Sequence, residues 1–191
     1  MGSEGITTGG FQRNEKGTRF TIEMNYPIFL IGFMASGKTS KGRKLARKLN
    51  IPFLDLDQII EEQEDLSISS IFKNKGEEYF RQVEAEVLRS IPQNEKAIVA
   101  LGGGTPCFHD NMEYINSFGT TVYLKRSESR ILGRLRQSKQ KRPLVANLSD
   151  AELKAFITES LLQRSGDYKK ATVIFDADEN QLADLLQVLK D

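Results

Sequence analysis

One stretch of eight residues constrains this chain more than any other. Gly32-Phe33-Met34-Ala35-Ser36-Gly37-Lys38-Thr39 satisfies the pattern G-x-x-x-x-G-K-[ST], between a short apolar run, Ile28–Ile31, and a segment with apolar and basic positions at helical spacing, 37–49. A strand entering such a loop and leaving it as a helix is the setting in which the pattern has physical meaning. Backbone N–H groups and the positive end of the helix face a polyphosphate. Lys38 would bridge the β- and γ-phosphates, and the Thr39 hydroxyl would bind Mg²⁺. The glycines supply positive φ and let the backbone approach a ligand closely. A random chain of this length matches the pattern about once in 150 cases at a glycine frequency of ~7%. The segment therefore reads as a nucleoside triphosphate site.

The same alternation continues to the end. Strands are expected at 28–31, 52–55, 97–101, 120–124 and 172–175. Helices are expected at 37–49, 57–63, 68–91 (broken near Gly76), 111–117, 127–136 capped by Ser127, 149–169 and 181–189. Ser149 followed by Glu152 makes a capping box. Short apolar strands alternating with helices imply a parallel sheet covered on both faces, an α/β fold. Ligands then bind at the carboxyl ends of the strands, so the turns after Ile31, Asp55, Leu101, Leu124 and Phe175 should ring one crevice. Residues 1–25 read as a loose leader with a weak strand signal at 18–24, and 26–191 as a single domain.

Asp55-Leu56-Asp57 follows the second strand. Residues two apart on a strand point to the same side, so both carboxylates would face the phosphate crevice. In phosphoryl transfer one such acid holds Mg²⁺, usually through water, and another accepts or orients the attacking hydroxyl proton. The plainer alternatives are an N-cap for Asp57 and an exposed strand end for Asp55. Composition narrows the partners. Twenty-seven Lys and Arg against 26 Asp and Glu leave a formal net charge of +1, a poor balance for a nucleic-acid binder. One Cys (Cys107) and one His (His109) exclude an intrachain disulfide and the common Cys- or His-rich metal sites. The longest apolar run, 28–34, has seven residues and spans no membrane. The first ten residues do not read as a secretion signal, so the default is a soluble cytoplasmic protein.

The ordered set of motifs resembles the shikimate kinase family. Gly32–Thr39 resembles its phosphate loop and Asp55-Leu56-Asp57 its acidic pair. Ile71-Phe72, Gly76-Glu77, and Phe80-Arg81 with Glu84 resemble its substrate helix. Gly102-Gly103-Gly104 resembles its second glycine motif, Arg142-Pro143-Leu144 its lid (about 138–149), and Arg164 with Tyr168 its C-terminal substrate arginine. The resemblance implies a P-loop NTPase three-layer α/β/α fold with five parallel strands in order 2-3-1-4-5. It implies ATP- and Mg²⁺-dependent phosphorylation of the 3-hydroxyl of shikimate, in aromatic amino-acid biosynthesis, by a monomer. Asp57 would contact the acceptor hydroxyls as base. Arg81 and Arg164 would clamp the carboxylate, with Glu84 orienting Arg81. Gly102, Gly103 and Gly104 would line the acceptor, Gly103 through its N–H. ATP would be held by Ala35, Ser36, Gly37, Lys38, Thr39, Ser40, Arg142 and Asn180, and the metal by Thr39 and, through water, Asp55. Arg142 would reach the transferring phosphate. Arg134 or Arg136 would lie near the adenine, and the spacing does not choose between them. Ala35 stands where the family usually has Gly, and the 176–180 loop lacks an expected Pro.

The residues also make chemical sense without the resemblance. Planar arginine forks hold a small carboxylate best, and consecutive glycines at a strand end offer a nest of donors. The alternatives are a surface i,i+3 pair for Arg81 and Glu84 and a helix-terminal cation for Arg164. Two rival functions are a kinase for gluconate or a nucleoside, and a GTP-dependent switch. For the latter only Asn74-Lys75-Gly76-Glu77 approaches the required N-K-x-D, with Glu in place of Asp.

Overall fold

The computed structural model describes residues 24–138 and 145–189. The leader up to residue 23, with most of its strand signal, and Arg142-Pro143-Leu144 lie outside them.

Five parallel strands form one sheet in the order β2-β3-β1-β4-β5, as the family resemblance implied. They are β1 (Ile28–Ile31), β2 (Phe53–Asp55), β3 (Ile98–Ala100), β4 (Thr120–Lys125) and β5 (Val173–Asp176). β1 is central, paired with β3 from Ile28↔Ile98 and with β4 from Ile28↔Thr120. All four of its residues are fully buried, and their alternation divides them between two cores. Phe29 and Ile31 face one side with Val99, Leu101 and Tyr123; Ile28 and Leu30 face the other with Ile98, Val122 and Phe175. A strand buried on both faces must be apolar throughout, which is why the run reads as continuous rather than alternating. Truncating Phe29 to Ala would cost about 3–5 kcal/mol.

On the first side lie α2 (Leu56–Glu64), α3 (Ile68–Ser90), α4 (Asn111–Asn116), α5 (Glu128–Ser138) and α6 (Asp150–Tyr168). On the second lie α1 (Lys38–Leu49) and α7 (Leu182–Val188). These are the expected three layers. α3 bends at Gly76 (φ 85°, ψ 172°), where the sequence placed a break. Across that bend Lys75 Nζ reaches Glu64 Oε2 at 2.7 Å and ties α3 to α2. The Ser149/Glu152 capping box that opens α6 is present.

One local expectation changes. α2 starts at Leu56, so Asp57 lies in the first helical turn instead of continuing the strand. Leu56, the first residue of the helix, is fully buried. At the start of α5, the Ser127 hydroxyl is hydrogen-bonded to Asp178 Oδ2 at 2.6 Å. Asp178, from the turn after β5, also accepts the Ser127 N–H at 2.8 Å. Among the described residues no helix is long and apolar enough to cross a membrane.

Candidate active site

The loop between β1 and α1 is held from its carbonyl side. Lys38 Nζ donates to Gly32 O at 2.7 Å and to Phe33 O at 3.2 Å. Arg134 Nη1 donates to Ala35 O at 2.9 Å, and Arg126 Nε to Ser36 O at 2.9 Å. Gly37 enters the helix at φ 105°, a conformation that glycine adopts freely. The first turn of α1 lines a cavity of about 340 Å³ with Gly37, Lys38, Thr39 and Ser40. First-turn amides have no partner within a helix, so this end is built for an anion. Burial, then crowding by Arg126 and other cations, lowers the pKa of both Lys41 and Arg134. Arg134 lines the cavity, and neighbouring cations add positive potential there. Ser36 is buried, and its Oγ has no hydrogen-bond partner among the described residues. Ala35 carries the family departure into geometry: at φ 60° it adopts a left-handed conformation that costs an alanine roughly 1–2 kcal/mol.

Both aspartates line this cavity although one is on a strand and the other on a helix. Asp55 Oδ2 accepts the Thr39 hydroxyl at 2.9 Å. Asp57 is deeper. Burial pushes its carboxyl up; the Lys38 ammonium opposes this, and Asp55, Glu84 and Glu61 add to it, for a pKa of about 6.

A second cavity, of about 670 Å³, adjoins the first; Met34, Asp57 and Gly103 line both. Its walls include Phe72, Phe80, Arg81 and Glu84 from α3, the run Gly102–Gly104, and Arg164 from α6. The i,i+3 pair is not on the surface: Arg81 Nη1 meets Glu84 Oε2 at 2.9 Å, and the Glu84 side chain is 0% exposed. Glu77 holds the other side of the fork, accepting from Nη2 at 3.0 Å. Two of the three glycines, Gly102 and Gly104, are required by close approach. A Cβ on Gly104 would stand 2.7 Å from Arg81 Nη2, and one on Gly102 would stand 2.8 Å from Glu84 Oε1. Gly103 O accepts the Tyr168 hydroxyl at 2.5 Å, which pins the glycine turn to α6 one helical turn after Arg164. Arg164 packs over the Phe33 ring at 5.7 Å.

The two arginines that spacing left open point to different surroundings. Arg134 lines the phosphate cavity, whereas Arg136 pairs with Asp150 at 2.9 Å on the surface. Asn180 turns its amide onto Asp176 O at 2.9 Å. Arg142 lies outside the described residues. Sequence reasoning missed Arg126, which bridges Ser36 O and Asp178 Oδ1 (2.6 Å) and joins the turns after β1, β4 and β5. Its signal was available: a cation at the carboxyl end of a strand. Burial alone would raise Asp178, but hydrogen bonds from Ser127 and the Arg126 guanidinium outweigh it and hold the carboxyl low.

Comparison with known proteins agrees with this geometry. The Shikimate kinase family model matches residues 34–191. The shikimate kinase of Phocaeicola vulgatus is 47% identical over 152 residues, 80% of this chain and 87% of its own length. The crystal structure of shikimate kinase from Bacteroides thetaiotaomicron superposes with a TM-score of 0.80 at 41% identity, covering 85% of this chain and 95% of that one. The Acinetobacter baumannii shikimate kinase in complex with shikimate gives 0.74 at 33% identity, over 84% and 88%.

Proposed function

The chain belongs to the shikimate kinase family, phosphotransferases with shikimate as acceptor, and on that premise we propose how its own residues move the γ-phosphoryl group of ATP to the 3-hydroxyl. The observation that carries the proposal is the junction of the two cavities at Asp57. A polyphosphate in the smaller cavity and a small carboxylic acid in the larger one would meet beside a carboxylate whose pKa is about 6. A base with that value is ionised at neutral pH yet still basic enough to take a hydroxyl proton as the bond to phosphorus forms.

On this reading, Arg81 and Arg164 hold the acceptor carboxylate, two forks supplying bidentate hydrogen bonds. Glu84 aims Arg81. Gly102, Gly103 and Gly104 form the acceptor floor, with the Gly103 N–H as donor. The triphosphate lies along Ala35, Ser36, Gly37, Lys38, Thr39 and Ser40. Lys38, released from the Gly32 and Phe33 carbonyls, contacts the β- and γ-phosphates. Arg134 borders the nucleotide, Asn180 belongs to its base-side loop, and Arg142 reaches the transferring group from the lid. Thr39 Oγ1 and Asp55 Oδ2, 2.9 Å apart at the phosphate cavity, are hard oxygen donors that fit Mg²⁺, with Asp55 acting through water. Bound there, the ion would neutralise charge on the phosphates. The pattern offers positioning groups rather than a nucleophile, so transfer is direct and in line, without a phosphoenzyme. The reading extends to a monomer in the cytoplasm with no nucleic-acid or membrane partner.

A coupled ADP assay with an acceptor panel tests this. Turnover with shikimate and ATP is expected to exceed turnover with gluconate or a nucleoside. Equal or better turnover with either rejects the assignment, and a preference for GTP rejects the nucleotide.

A further inference from the structure

The carboxylate that aims Arg81 has a second partner. Glu84 and Thr105 are both 0% exposed. Thr105 opens the short turn Thr105–Cys107 after the glycine run, and its hydroxyl donates to Glu84 Oε1 at 2.5 Å. The other oxygen, Oε2, accepts from Arg81 Nη1 at 2.9 Å. A buried carboxylate needs donors on both oxygens, and these two groups supply them. We infer that Thr105 is a positioning residue for acceptor recognition: its hydroxyl fixes the rotation of the Glu84 carboxylate, and through it the direction in which the Arg81 fork is presented. The inference rests on the assignment of Arg81 to the acceptor carboxylate.

Three features give the hydroxyl this leverage. The partner on the opposite side of the fork, Glu77, has a side chain 56% exposed, and such a pair restrains geometry weakly. Rigid aim must therefore come from the buried side. Arg81 also has little room to hunt for a new position, with its guanidinium 4.3 Å from the Phe108 ring centroid and pressed against Gly104. A misrotated fork would lose one of its two parallel hydrogen bonds rather than readjust. Finally, Thr105 is itself anchored. Asn111, also 0% exposed, donates Nδ2 to Thr105 O at 2.9 Å and accepts Arg89 Nη1 at 2.8 Å. Bonds thus leave α3 at Arg89, cross the turn, and return to α3 at Glu84. Thr105 is tied to α3 at two points, Glu84 and Arg89, and its hydroxyl is not free to follow the carboxylate.

Thr105→Val keeps the shape and removes the O–H, leaving one buried oxygen of Glu84 without a donor. Steady-state kinetics with shikimate and ATP varied separately should show KM for shikimate raised about tenfold, KM for ATP within about twofold, and kcat within about threefold, as expected for lost aim at one substrate. Thr105→Ser restores the donor and should return KM for shikimate to within about twofold of the parent. In a Glu84→Gln background Thr105→Val should add little, because both changes act on one link. Equal rises in both KM values, failure of Ser to rescue, or additivity with Glu84→Gln overturns the inference. If the valine variant does not fold, Thr105→Ala is judged on the same ratio of KM values. Arg81→Ala separates the premises. If it leaves KM for shikimate unchanged, the carboxylate assignment fails. If it raises that KM while Thr105→Val does not, the assignment stands and only the role of Thr105 fails.

Discussion

The two cavities are made by opposite strategies. The phosphate cavity is mostly one contiguous stretch, 34–40, presenting backbone and the first turn of one helix. The acceptor cavity is assembled from α2, α3, the turn after β3, and α6, and its charged groups are set by buried ion pairs and hydrogen bonds between distant side chains. A backbone site is robust to most side-chain changes and recognises a common chemical group. A side-chain site is specific, and it is vulnerable wherever one buried charge depends on another.

The largest expected effects fall where the cavities meet. Lys38→Ala and Asp57→Asn should each lower kcat at least ~100-fold, measured at saturating ATP and shikimate. They should differ in stability. Asp57 is protonated in both folded and unfolded states below its ordinary value of 3.8, so burial then costs nothing. Between 3.8 and about 6 the unfolded chain loses this proton first, and stability falls as pH rises. Above about 6 the full cost is present, reduced by solvent screening at the exposed Asp57. Asp57→Asn should therefore raise the thermal midpoint at pH 7.5 while abolishing turnover. A near-normal rate in that variant would remove the base role.

The pH profile gives the next test. With shikimate limiting, kcat/KM should fall about tenfold per unit below pH 6 as the carboxyl that must accept the proton becomes protonated. A flat profile down to pH 5 would mean that another group performs this step.

Arg81→Ala and Arg126→Ala test the division itself. Arg81→Ala should raise KM for shikimate by roughly 30-fold or more with KM for ATP nearly constant, the pattern of a lost charge-assisted pair. It should also cost about 3–5 kcal/mol of stability by stranding Glu84, measured by denaturant unfolding. Arg126→Ala should do the reverse, weakening ATP roughly tenfold and sparing shikimate, since it releases Ser36 O from the turn after β4. If either variant disturbs the opposite substrate more, the cavities are coupled rather than separate. The smallest effect is expected from Ala35→Gly. Relief of the left-handed strain is offset by the greater freedom of an unfolded glycine, leaving stability within about 1 kcal/mol.

The contrast also explains what could be read from sequence. β1, the loop and α1 were legible because their signals are local: a continuous apolar run, a spaced motif, a helical period. The kink at Gly76 and the cap at Ser149 were legible for the same reason. Asp57 was placed in the right cavity by a strand argument that does not hold, since the helix begins one residue earlier. Leu56 opens the helix and is fully buried, and three residues are too few for periodicity to separate a strand end from a helix start. Arg126 with Asp178, and Thr105 with Glu84, are separated by 52 and 21 residues, so no short window contains both partners. Arg134 and Arg136 look alike in sequence; only the packing of α5 decides which faces the loop and which meets Asp150.

Met34, Asp57 and Gly103 belong to both basins, so the partition between them is a single layer of residues. A synthetic molecule carrying a phosphate chain at one end and a cyclic acid at the other could occupy both through a short tether. Its second half would then dock at millimolar effective concentration without a separate collision. Such a tether must pass Gly103, where there is no side chain to move aside, and its length would be a ruler for the gap that the phosphoryl group crosses.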